Sequence, residues 1–388
     1  MDRTKIAFII TRLELGGAQK SVLYSARNID KTRFESYLLT GAGGYFDTYA
    51  QENIENVFFI PALQRTINPF KDLSAFAQII LALVKIKPQI VHTNSSKAGI
   101  LGRAAAYFYK RRSPWSLIKK YPKIVHTVHG FGFNDRQNFL TRTFYILLEQ
   151  FFADKSDVLV FVSIADLQTA IKLKIAPAEK CRLIRAGIEL KTKSDFKNFD
   201  RTAKLAALGL PAESKIILCP ANLKPQKNPL DMVRAAKIVC AQMPEAVFLF
   251  LGTGPLKKET ETLIKDFGLQ NNFKLLGHRN DVAQLLAIAD VFALSSLWEG
   301  LPMALIEAIS MQVPAVCYDA GGIAEVLHNG QNGALVQTGD YKGLAGGILN
   351  ILYVNFTFDF PTAALKEFDI KAMLKQQQQL YADLLTEK

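Results

Sequence analysis

Residues 290–309 have the sequence DVFALSSLWEGLPMALIEAI, and this stretch predicts the type of fold to which it belongs. Residues 291–294 form an apolar run with the length of a buried strand, and residues 295–300 form a short polar link. Pro302 suits the first position of a helix, and the apolar residues after it recur on one helical face. The stretch therefore predicts a strand, a short loop and a helix that form one unit of an α/β fold.

The start of this helix is suited to binding an anion. The first N–H groups of a helix have no partner inside it, and the helix dipole favours negative charge there. The residues that supply these groups follow Gly300 and are Leu301, Met303 and Ala304. Glu299 and Glu307 bracket the site, and carboxylates beside a phosphate pocket are suited to accepting hydrogen bonds from sugar hydroxyls.

Glu299 and Glu307 are separated by seven residues, among them Gly300 and Pro302. For either glutamate alone, a solvated position on a buried βα unit is the simpler interpretation. The complete spacing resembles the signature of retaining, nucleotide-sugar-dependent glycosyltransferases of the GT-B fold, specifically glycosyltransferase family 4. The resemblance implies that Glu299 contacts hydroxyl groups of the donor sugar and that Glu307 contacts the ribose of the nucleotide.

The length and composition are those of a two-domain globular protein. A chain of 388 residues exceeds one typical domain, and 49% of its residues are hydrophobic. Its net charge of +12 requires an anionic partner, for which nucleic acid, an anionic membrane and a phosphorylated substrate all qualify at this point. The four dispersed cysteines favour free thiols in a reducing cytoplasm, and the start MDRTK predicts no signal peptide. Charged residues interrupt the longest apolar stretches, so we expect no transmembrane helix.

Apolar runs of strand length alternate with helical patterns along the chain, which predicts parallel sheets covered on both faces. The runs of the first half are residues 5–10, 36–40, 57–60, 89–92, 123–128 and 158–162, and those of the second half are 215–219, 246–251, 273–276, 291–294, 314–318 and 334–336. Residues 190–213 have mixed charge and no strong strand pattern, so we place the domain boundary near residue 190.

The resemblance extends over nearly the whole chain and is strongest between residues 215 and 340. It implies an α/β protein of two Rossmann-like, doubly wound parallel-sheet domains that face each other across a cleft, the GT-B fold. Residues 1–190 would bind the acceptor, and residues 191–370 would bind the nucleotide-sugar donor. A terminal helix over residues 371–388 would cross back to the first domain.

Two loops of the first domain contain candidate site residues. Gly16 and Gly17 follow the first predicted strand, where glycine lets the backbone approach a ligand closely. They do not form the spaced three-glycine fingerprint of dinucleotide-binding proteins, which disfavours NAD. His129 precedes Gly130 at the end of another strand, where a lone histidine is more often structural. The resemblance implies that the glycine pair lies near the donor phosphate and the acceptor, and that His129 is a catalytic residue touching the donor sugar near the reacting carbon.

An unusually aromatic helix is predicted between Asp135 and Asp157. Its aromatic residues include Phe139, Phe144, Tyr145, Phe151 and Phe152. We interpret this helix as part of the core.

The loop PANLKPQKNP, residues 220–229, follows the first strand of the second domain. In the family that the chain resembles, this loop supplies an arginine and a lysine that clamp the diphosphate of the donor. Lys227 matches the lysine, whereas the arginine position falls at or beside Asn222, where no arginine is present. The clamp would consist of Lys227 alone or of Lys227 with Lys224; the alternative for each lysine is a solvated surface position.

Other loops of the second domain contribute further candidates for donor binding. Gly252 and Gly254 open the loop LGTGPL after the next strand. His278 and Arg279 belong to LGHRNDV, which resembles the family segment whose backbone surrounds the nucleotide base. The glycine pair at 321–322 precedes a predicted helix and indicates a second anion-binding nest.

The expected reaction moves a sugar from a nucleoside diphosphate to an acceptor. Negative charge grows on the diphosphate as the sugar leaves, and helix N–H groups together with Lys227 would stabilise that charge. No Asp-x-Asp pair follows a predicted strand, so we expect no metal and no other cofactor. Retention of the anomeric configuration is implied by the resemblance alone. The alternatives are a GT-B nucleotide-sugar epimerase, which needs no acceptor, and a non-catalytic basic binding protein; no nucleic-acid motif supports the latter.

A basic segment predicts where the enzyme acts. The sequence has no acidic residue between Asp72 and Asp135, and RRSPWSLIKKYPK within that interval mixes aromatic, apolar and basic residues. The residues expected to contact an anionic membrane are Arg111, Arg112, Trp115, Lys119 and Lys120. The alternative is a solvated, flexible basic loop. The basic segment lies in the first domain, which would bind the acceptor. We therefore expect a glycan or lipid-linked acceptor and a cytoplasmic enzyme, peripheral at the inner face of the plasma membrane.

Overall fold

The structure is a computed structural model that describes residues 3–113, 121–354 and 356–386. The chain divides into two compact units, the first formed by Met1–Gly187 with Glu367–Lys388 and the second by Ile188–Lys366. Each unit is built on one parallel sheet covered by helices, as the alternation of strands and helices predicted. Within the described ranges, no helix is both long enough and apolar enough to span a membrane.

The sheet of the first unit has seven strands in the described part of the chain, in the order β3-β2-β1-β4-β5-β6-β7. The strands are β1 Thr4–Arg12, β2 Phe34–Gly41, β3 Val57–Phe59, β4 Ile90–Asn94, β5 Lys123–Val128, β6 Val158–Phe161 and β7 Cys181–Leu183. Ile6 of β1 pairs in parallel with Ser36 on one side and with Ile90 on the other. Since the central strands are covered on both faces, they consist of nearly continuous apolar residues.

Helices cover both faces of this sheet. They are α1 Gly17–Asn28, α2 Asp47–Asn53, α3 Pro69–Ile86, α4 Ser96–Arg112, α5 Phe139–Asp154 and α6 Ile164–Lys172. Asn68, Asn138 and Ser163 each cap the start of a helix, because their side chains accept a hydrogen bond from a backbone N–H of the first turn. α3 packs beside α4, and α4 packs beside α5, so these three helices lie next to one another.

The sheet of the second unit has six strands among the described residues, in the order β10-β9-β8-β11-β12-β13. The strands are β8 Lys215–Pro220, β9 Ala246–Leu251, β10 Phe273–Gly277, β11 Val291–Leu294, β12 Ala315–Tyr318 and β13 Gly333–Val336. The helices are α7 Arg201–Ala207, α8 Pro229–Gln242, α9 Lys257–Asp266, α10 Val282–Ile288, α11 Met303–Ser310 and α12 Tyr341–Tyr353. The strand order reverses between β8 and β11, and ligands of open α/β sheets bind beyond the carboxyl ends of strands at such a reversal.

The last helix, α13 Ile370–Thr386, belongs to the first unit. The Tyr381 hydroxyl lies 2.6 Å from Nδ1 of His92 in β4, and His92 Nε2 lies 2.6 Å from the Thr127 hydroxyl in β5. Ser25 of α1 donates to the side chain of Gln377 at 2.8 Å. These buried polar contacts hold α13 against α1 and the sheet.

Two details of the predicted elements differ from the structure. The three-residue strand β7 was not predicted, because so short a segment has no distinct apolar pattern. Pro302 is the N-cap of α11 with φ −80°, and the helix begins at Met303, one residue later than expected. The proline ring still fixes the angle at which the chain enters the helix.

The interpretation of the aromatic helix as core holds for Tyr145, which packs against a buried cluster, and is wrong for the outer face of the helix. In α5 the side chains of Phe139, Phe144 and Phe151 are exposed, and the buried positions are Glu149 and Ala153. Only one face of a helix can meet the sheet, and α5 has more apolar residues than that face accommodates.

The basic segment also differs in part from expectation. Arg103, one of the cations of the acid-free interval, is completely buried. Lys97 forms an ion pair with Asp72 at 2.6 Å. Arg111 and Arg112 are exposed at the end of α4, whereas Trp115, Lys119 and Lys120, which were also predicted to contact a membrane, lie outside the described residues.

Candidate active site

The loops after β8 and β11 are joined to each other at the point where the strand order reverses. The Leu297 N–H donates to the carbonyl oxygen of Gln226, and the Gln226 side chain donates to that of Trp298, both at 2.8 Å. The Ser295 hydroxyl lies 3.0 and 2.9 Å from the carbonyl oxygens of Lys227 and Asn228. Two loops that are far apart in the chain are therefore fixed against each other.

Lys227 and Glu299 meet where these two loops join. The Lys227 ammonium donates to Oε1 of Glu299, and their side chains are only 18% and 7% exposed. Asn228 has φ 46°, a left-handed conformation that turns the chain into α8 directly after Lys227. Because an ammonium group has three donors, Lys227 can hold Glu299 and still bind an anion.

Gly321 supports the turn that presents Glu299. It has φ +62°, and a Cβ atom at this position would lie 1.9 Å from the carbonyl oxygen of Glu299. The Gly322 N–H donates to the carbonyl oxygen of Gly300 at 3.0 Å. The prediction of an anion nest at 321–322 is therefore wrong for Gly322, whose N–H is already used, and the pair instead allows close backbone packing.

The start of α11 has no side-chain cap among the described residues. The N–H groups of Met303 and Ala304 therefore point out of its end. Leu301 is buried, and Glu307 is partly buried one turn beyond Met303. This arrangement places positive helix-end potential next to the ion pair.

The glycine loop after β9 packs against the loop after β8. A Cβ atom at Gly252 would lie 2.3 Å from the carbonyl oxygen of Ala221, and one at Gly254 would lie 2.2 Å from that of Leu223. Asn222 lies between Ala221 and Leu223 in the loop after β8. These contacts give the two predicted glycines a structural reason, because a larger residue at either position would separate the loops.

His278 and Arg279 are held by neighbouring side chains. His278 Nε2 lies 2.9 Å from the Thr253 hydroxyl, which ties this segment to the glycine loop. Arg279 donates twice to Asp281, at 2.8 and 2.6 Å, and Lys204 donates to the same carboxylate. The Arg279 guanidinium holds the pKa of Asp281 well below its usual range. The Arg279 side chain is thus engaged in an ion pair with Asp281.

In the first unit, His129 stands at the end of β5. Burial lowers its pKa to about 4, so the imidazole is neutral at physiological pH. Its Nε2 lies 3.0 Å from Oδ1 of Asn94, an acceptor, so Nε2 carries the proton and Nδ1 can accept a hydrogen bond. Sequence reasoning missed Asn94; its available signal was a polar residue at the carboxyl end of the neighbouring strand.

The predicted glycine pair lies at the start of α1. Gly16 is the N-cap and α1 begins at Gly17. A Cβ atom at Gly16 would meet the side-chain oxygen of Gln19 at 2.6 Å, and Gln19 in turn donates to the carbonyl oxygen of Arg12 at 3.2 Å. The absence of a side chain at Gly16 lets Gln19 fold over the loop.

The free energy of unfolding should fall as the pH drops below 6.5. Burial lowers the pKa of His92 to about 3 and that of His129 to about 4, from a usual value of 6.5. Below pH 6.5 the two histidines take up protons in the unfolded chain but stay neutral in the folded protein. Their contribution to the free energy of unfolding is therefore complete above pH 6.5, and it is lost as the pH falls towards their pKa values in the folded state. Urea unfolding at pH 7 and at about pH 5.5, where ordinary carboxylates are still ionised, measures the loss. Replacing the exposed His328 by glutamine should leave the loss intact, and equal stability at both pH values would contradict the prediction.

Comparison with known proteins gives two family matches and several relatives. The model described as Glycosyltransferase Family 4 matches residues 15–192, and the model described as Glycosyl transferases group 1 matches residues 200–354. The UDP-Gal:alpha-D-GlcNAc-diphosphoundecaprenol alpha-1,3-galactosyltransferase of Escherichia coli is 30% identical over 398 residues, covering 100% of this chain and 99% of the relative. The N-acetyl-alpha-D-glucosaminyl L-malate synthase of Bacillus anthracis is 28% identical over 280 residues, 69% of this chain and 70% of that protein.

Solved structures match the fold over nearly the full length. HepE of Anabaena, solved with UDP and glucose, has a TM-score of 0.82 at 21% identity and covers 98% of this chain and 100% of its own. Sucrose-phosphate synthase of Thermosynechococcus elongatus has a TM-score of 0.78 at 20% identity, with both chains covered completely. The two parallel-sheet α/β units thus match GT-B glycosyltransferase structures, as the sequence predicted.

Proposed function

The chain belongs to the glycosyl transferases of group 1, glycosyltransferase family 4, and from this premise we propose that it transfers a hexose from a UDP-sugar to a lipid-linked or polysaccharide acceptor. The observation that supports the proposal most directly is the Lys227–Glu299 pair beside the start of α11. A cation, free N–H groups and a carboxylate are the groups needed to bind a diphosphate and a sugar together. The second unit would hold the donor and the first unit the acceptor.

The donor diphosphate would lie on Lys227 and on the N–H groups of Met303 and Ala304. Negative charge on the diphosphate increases as the bond to the sugar breaks, so these groups interact more strongly with the transition state than with the bound donor. They are held in place before the reaction by the hydrogen bonds between the two loops, so little reorganisation is needed. Glu299 would accept hydrogen bonds from the sugar, and Glu307 from the ribose.

His129 would contact the sugar as a neutral hydrogen-bond acceptor. Because its pKa is about 4, the imidazolium form that could act as a general acid is not populated at neutral pH, and Asn94 fixes which nitrogen of the neutral ring carries the proton. We therefore assign His129 a role in orienting a sugar hydroxyl and Asn94 a role in positioning His129. Retention of the anomeric configuration is part of this proposal through the family resemblance.

The proposed reaction uses no metal. Lys227 and the helix N–H groups supply positive charge where a metal ion would act in other transferases. In the described ranges, no group of three or more His, Cys, Asp or Glu side chains is arranged to hold a metal ion.

The proposed acceptor is attached to a lipid, and the enzyme would act at the cytoplasmic face of the membrane. The Escherichia coli relative, by its name, transfers galactose to a sugar on diphosphoundecaprenol. That relative matches this chain over its full length, which is why we favour an acceptor of the same chemical class.

A panel of nucleotide sugars tests the donor. UDP-galactose, UDP-glucose and UDP-N-acetylglucosamine are compared with GDP- and ADP-sugars for the rise in melting temperature that each produces. We expect the UDP-sugars to stabilise the protein, and a response confined to GDP- or ADP-sugars would contradict the proposal. UDP release measured with and without a lipid-diphosphate sugar acceptor then separates a transferase from an epimerase, whose product forms without acceptor.

Replacing Glu307 by alanine should weaken UDP binding. A hydrogen bond between a carboxylate and a ribose hydroxyl contributes about 1.5–3 kcal/mol, which corresponds to a roughly 10- to 150-fold increase in Kd. Isothermal titration with UDP measures the change, and Glu299→Ala should act mainly on turnover because its partner is the sugar. Glu261→Ala, at an exposed glutamate of the same unit, is the matched control. Unchanged UDP affinity in Glu307→Ala would place the ribose elsewhere.

A further inference from the structure

Helix α5 has an exposed apolar stripe. Leu140, Phe144, Leu147 and Phe151 recur at helical spacing on one face, and their exposed fractions are 78%, 60%, 59% and 59%. Phe139 at the start of the helix is 77% exposed. Single exposed apolar residues are common, but five large ones on one helix form a patch that indicates an interaction surface.

Helix α3 has a second stripe of the same kind. Phe70, Leu73, Leu81 and Val84 lie on its outer face with exposed fractions of 87%, 68%, 68% and 49%. The inner face of the same helix is buried in the core through Ala75, Ile79 and Leu83, among others. The outer residues are therefore not needed to attach α3 to the sheet.

Helix α4 lies between α3 and α5 and contacts both of them. Phe76 of α3 and Phe108 of α4 are in edge contact, with ring centroids 6.1 Å apart. Arg103 of α4 pairs with Glu149 of α5 at 2.7 Å. Since the three helices are neighbours, their outward sides form one surface, which we call the α3–α4–α5 face.

Basic side chains continue from the α5 stripe to the end of α4. The Lys155 ammonium lies 5.2 Å from the ring of Phe151 and 5.5 Å from the ring of Tyr107. The Arg111 guanidinium lies 5.6 Å from the ring of Tyr107, and that of Arg112 lies 5.6 Å from the ring of Phe108. Arg111 and Arg112 thus place positive charge at the edge of the apolar surface, whereas Lys155 shares its charge with Asp154, 2.5 Å away.

On α3 and α4 the charge of this face has one predominant sign. No acidic residue occurs in the sequence between Asp72 and Asp135, an interval that includes most of α3 and all of α4. Lys85 and Lys87 at the end of α3 and Arg111 and Arg112 at the end of α4 are all exposed. A surface with an anionic outer layer and an apolar interior would complement both the exposed basic residues and the exposed apolar stripes.

We propose that the α3–α4–α5 face docks on an anionic lipid bilayer. The stripes of α3 and α5 enter the boundary between headgroups and acyl chains, and the basic ends of α3 and α4 contact anionic headgroups. A second copy of the chain is a poorer occupant, because pairing through the same face brings like charges together where water is excluded. The choice of a bilayer rests on the proposed function, since a lipid-linked acceptor keeps the enzyme at a membrane.

Vesicle flotation tests the α5 stripe. The variant Phe144→Ser/Leu147→Ser is compared with the wild type on phosphatidylcholine vesicles with and without phosphatidylglycerol. We expect the wild type to float with the anionic vesicles and the variant to have a partition coefficient lower by about tenfold or more, since two large apolar side chains no longer enter the bilayer. The matched control Tyr353→Ser/Val354→Ser removes two exposed apolar residues of the second unit, 58% and 57% exposed, and should float like the wild type.

A second pair on the same stripe and a charge variant complete the test. Leu140→Ser/Phe151→Ser should lose flotation to a similar extent, with an unchanged melting temperature and an unchanged response to UDP. Arg111→Ser/Arg112→Ser should bind anionic vesicles less well, and salt should weaken wild-type binding. Flotation of both α5 variants at the wild-type level overturns the inference. A wild type that does not bind vesicles also overturns the inference. This holds whether the wild type is a monomer or a dimer, and a dimer that the α5 substitutions dissociate would show that the stripe is a contact between two copies of the chain. Because the UDP response is measured in parallel, failure of membrane docking is distinguished from failure of the proposed function.

Discussion

Lys227→Ala is expected to lower kcat by about a hundredfold or more, the scale observed when a preorganised donor to a developing negative charge is removed. Lys227 is 18% exposed and its ammonium is fixed by Glu299, so in the proposed reaction its charge would already be in place when the sugar leaves. Alanine removes that charge and leaves the Glu299 carboxylate, 7% exposed, without its partner beside the proposed diphosphate position. Steady-state kinetics with the true donor and acceptor measure the change.

Several controls define what this result would mean. Lys224→Ala should cost little unless Lys224 replaces the arginine that the family has near Asn222. Lys227→Ala/Glu299→Gln should bind UDP better than Lys227→Ala alone, because glutamine removes the uncompensated negative charge. The assays are run in EDTA, which should not reduce wild-type activity. A Lys227→Ala enzyme with nearly normal kcat, or complete loss in EDTA that manganese restores, would contradict the proposed leaving-group stabilisation.

The two sheets could be predicted because their central strands are buried on both faces. β8 and β11 are continuous apolar runs that end in glycine-, proline- or serine-containing loops, and this pattern identifies a buried parallel strand without knowledge of its neighbours. The order of the strands does not follow from the pattern. Only the fold places β8 beside β11 and thereby brings the loop of Lys227 to the loop of Glu299.

Other parts of the site depend on contacts that sequence patterns do not contain. Gly321 supports Glu299 through a backbone approach between residues 22 positions apart in the chain, so its glycine pattern alone was equally consistent with an anion nest. Asn94 and His129 lie on neighbouring strands whose pairing had to be known first. The exposed side of α5 was missed because an apolar helix pattern does not tell whether its outer face is covered.

Glu149→Ala is expected to lower the free energy of unfolding by about 3–5 kcal/mol, the cost of leaving one partner of a buried ion pair without the other. Arg103 is completely buried and lies 2.7 Å from Glu149, while its Nε donates to the carbonyl oxygen of Gly99 at 2.9 Å. Its guanidinium also lies 5.5 Å from the ring of Phe152. In Glu149→Ala the positive charge of Arg103 stays enclosed between α4 and α5. Of the three contacts named here, only the two uncharged ones, the Gly99 carbonyl oxygen and the Phe152 ring, then remain. Urea unfolding at neutral pH measures the loss.

Two comparisons separate the cost of a buried charge from the loss of a contact. Glu55 pairs with Lys31 at 2.7 Å on the surface, so Glu55→Ala should leave the unfolding midpoint nearly unchanged. Arg103→Met/Glu149→Leu replaces both charges by apolar side chains and should recover most of the stability that Glu149→Ala loses, because no unpaired charge remains. Equal losses in Glu149→Ala and Glu55→Ala would show that Arg103 is compensated in another way. If the double variant regains stability and still floats with anionic vesicles, the buried pair serves to hold α4 against α5, and lipid binding comes from the outer residues of the α3–α4–α5 face.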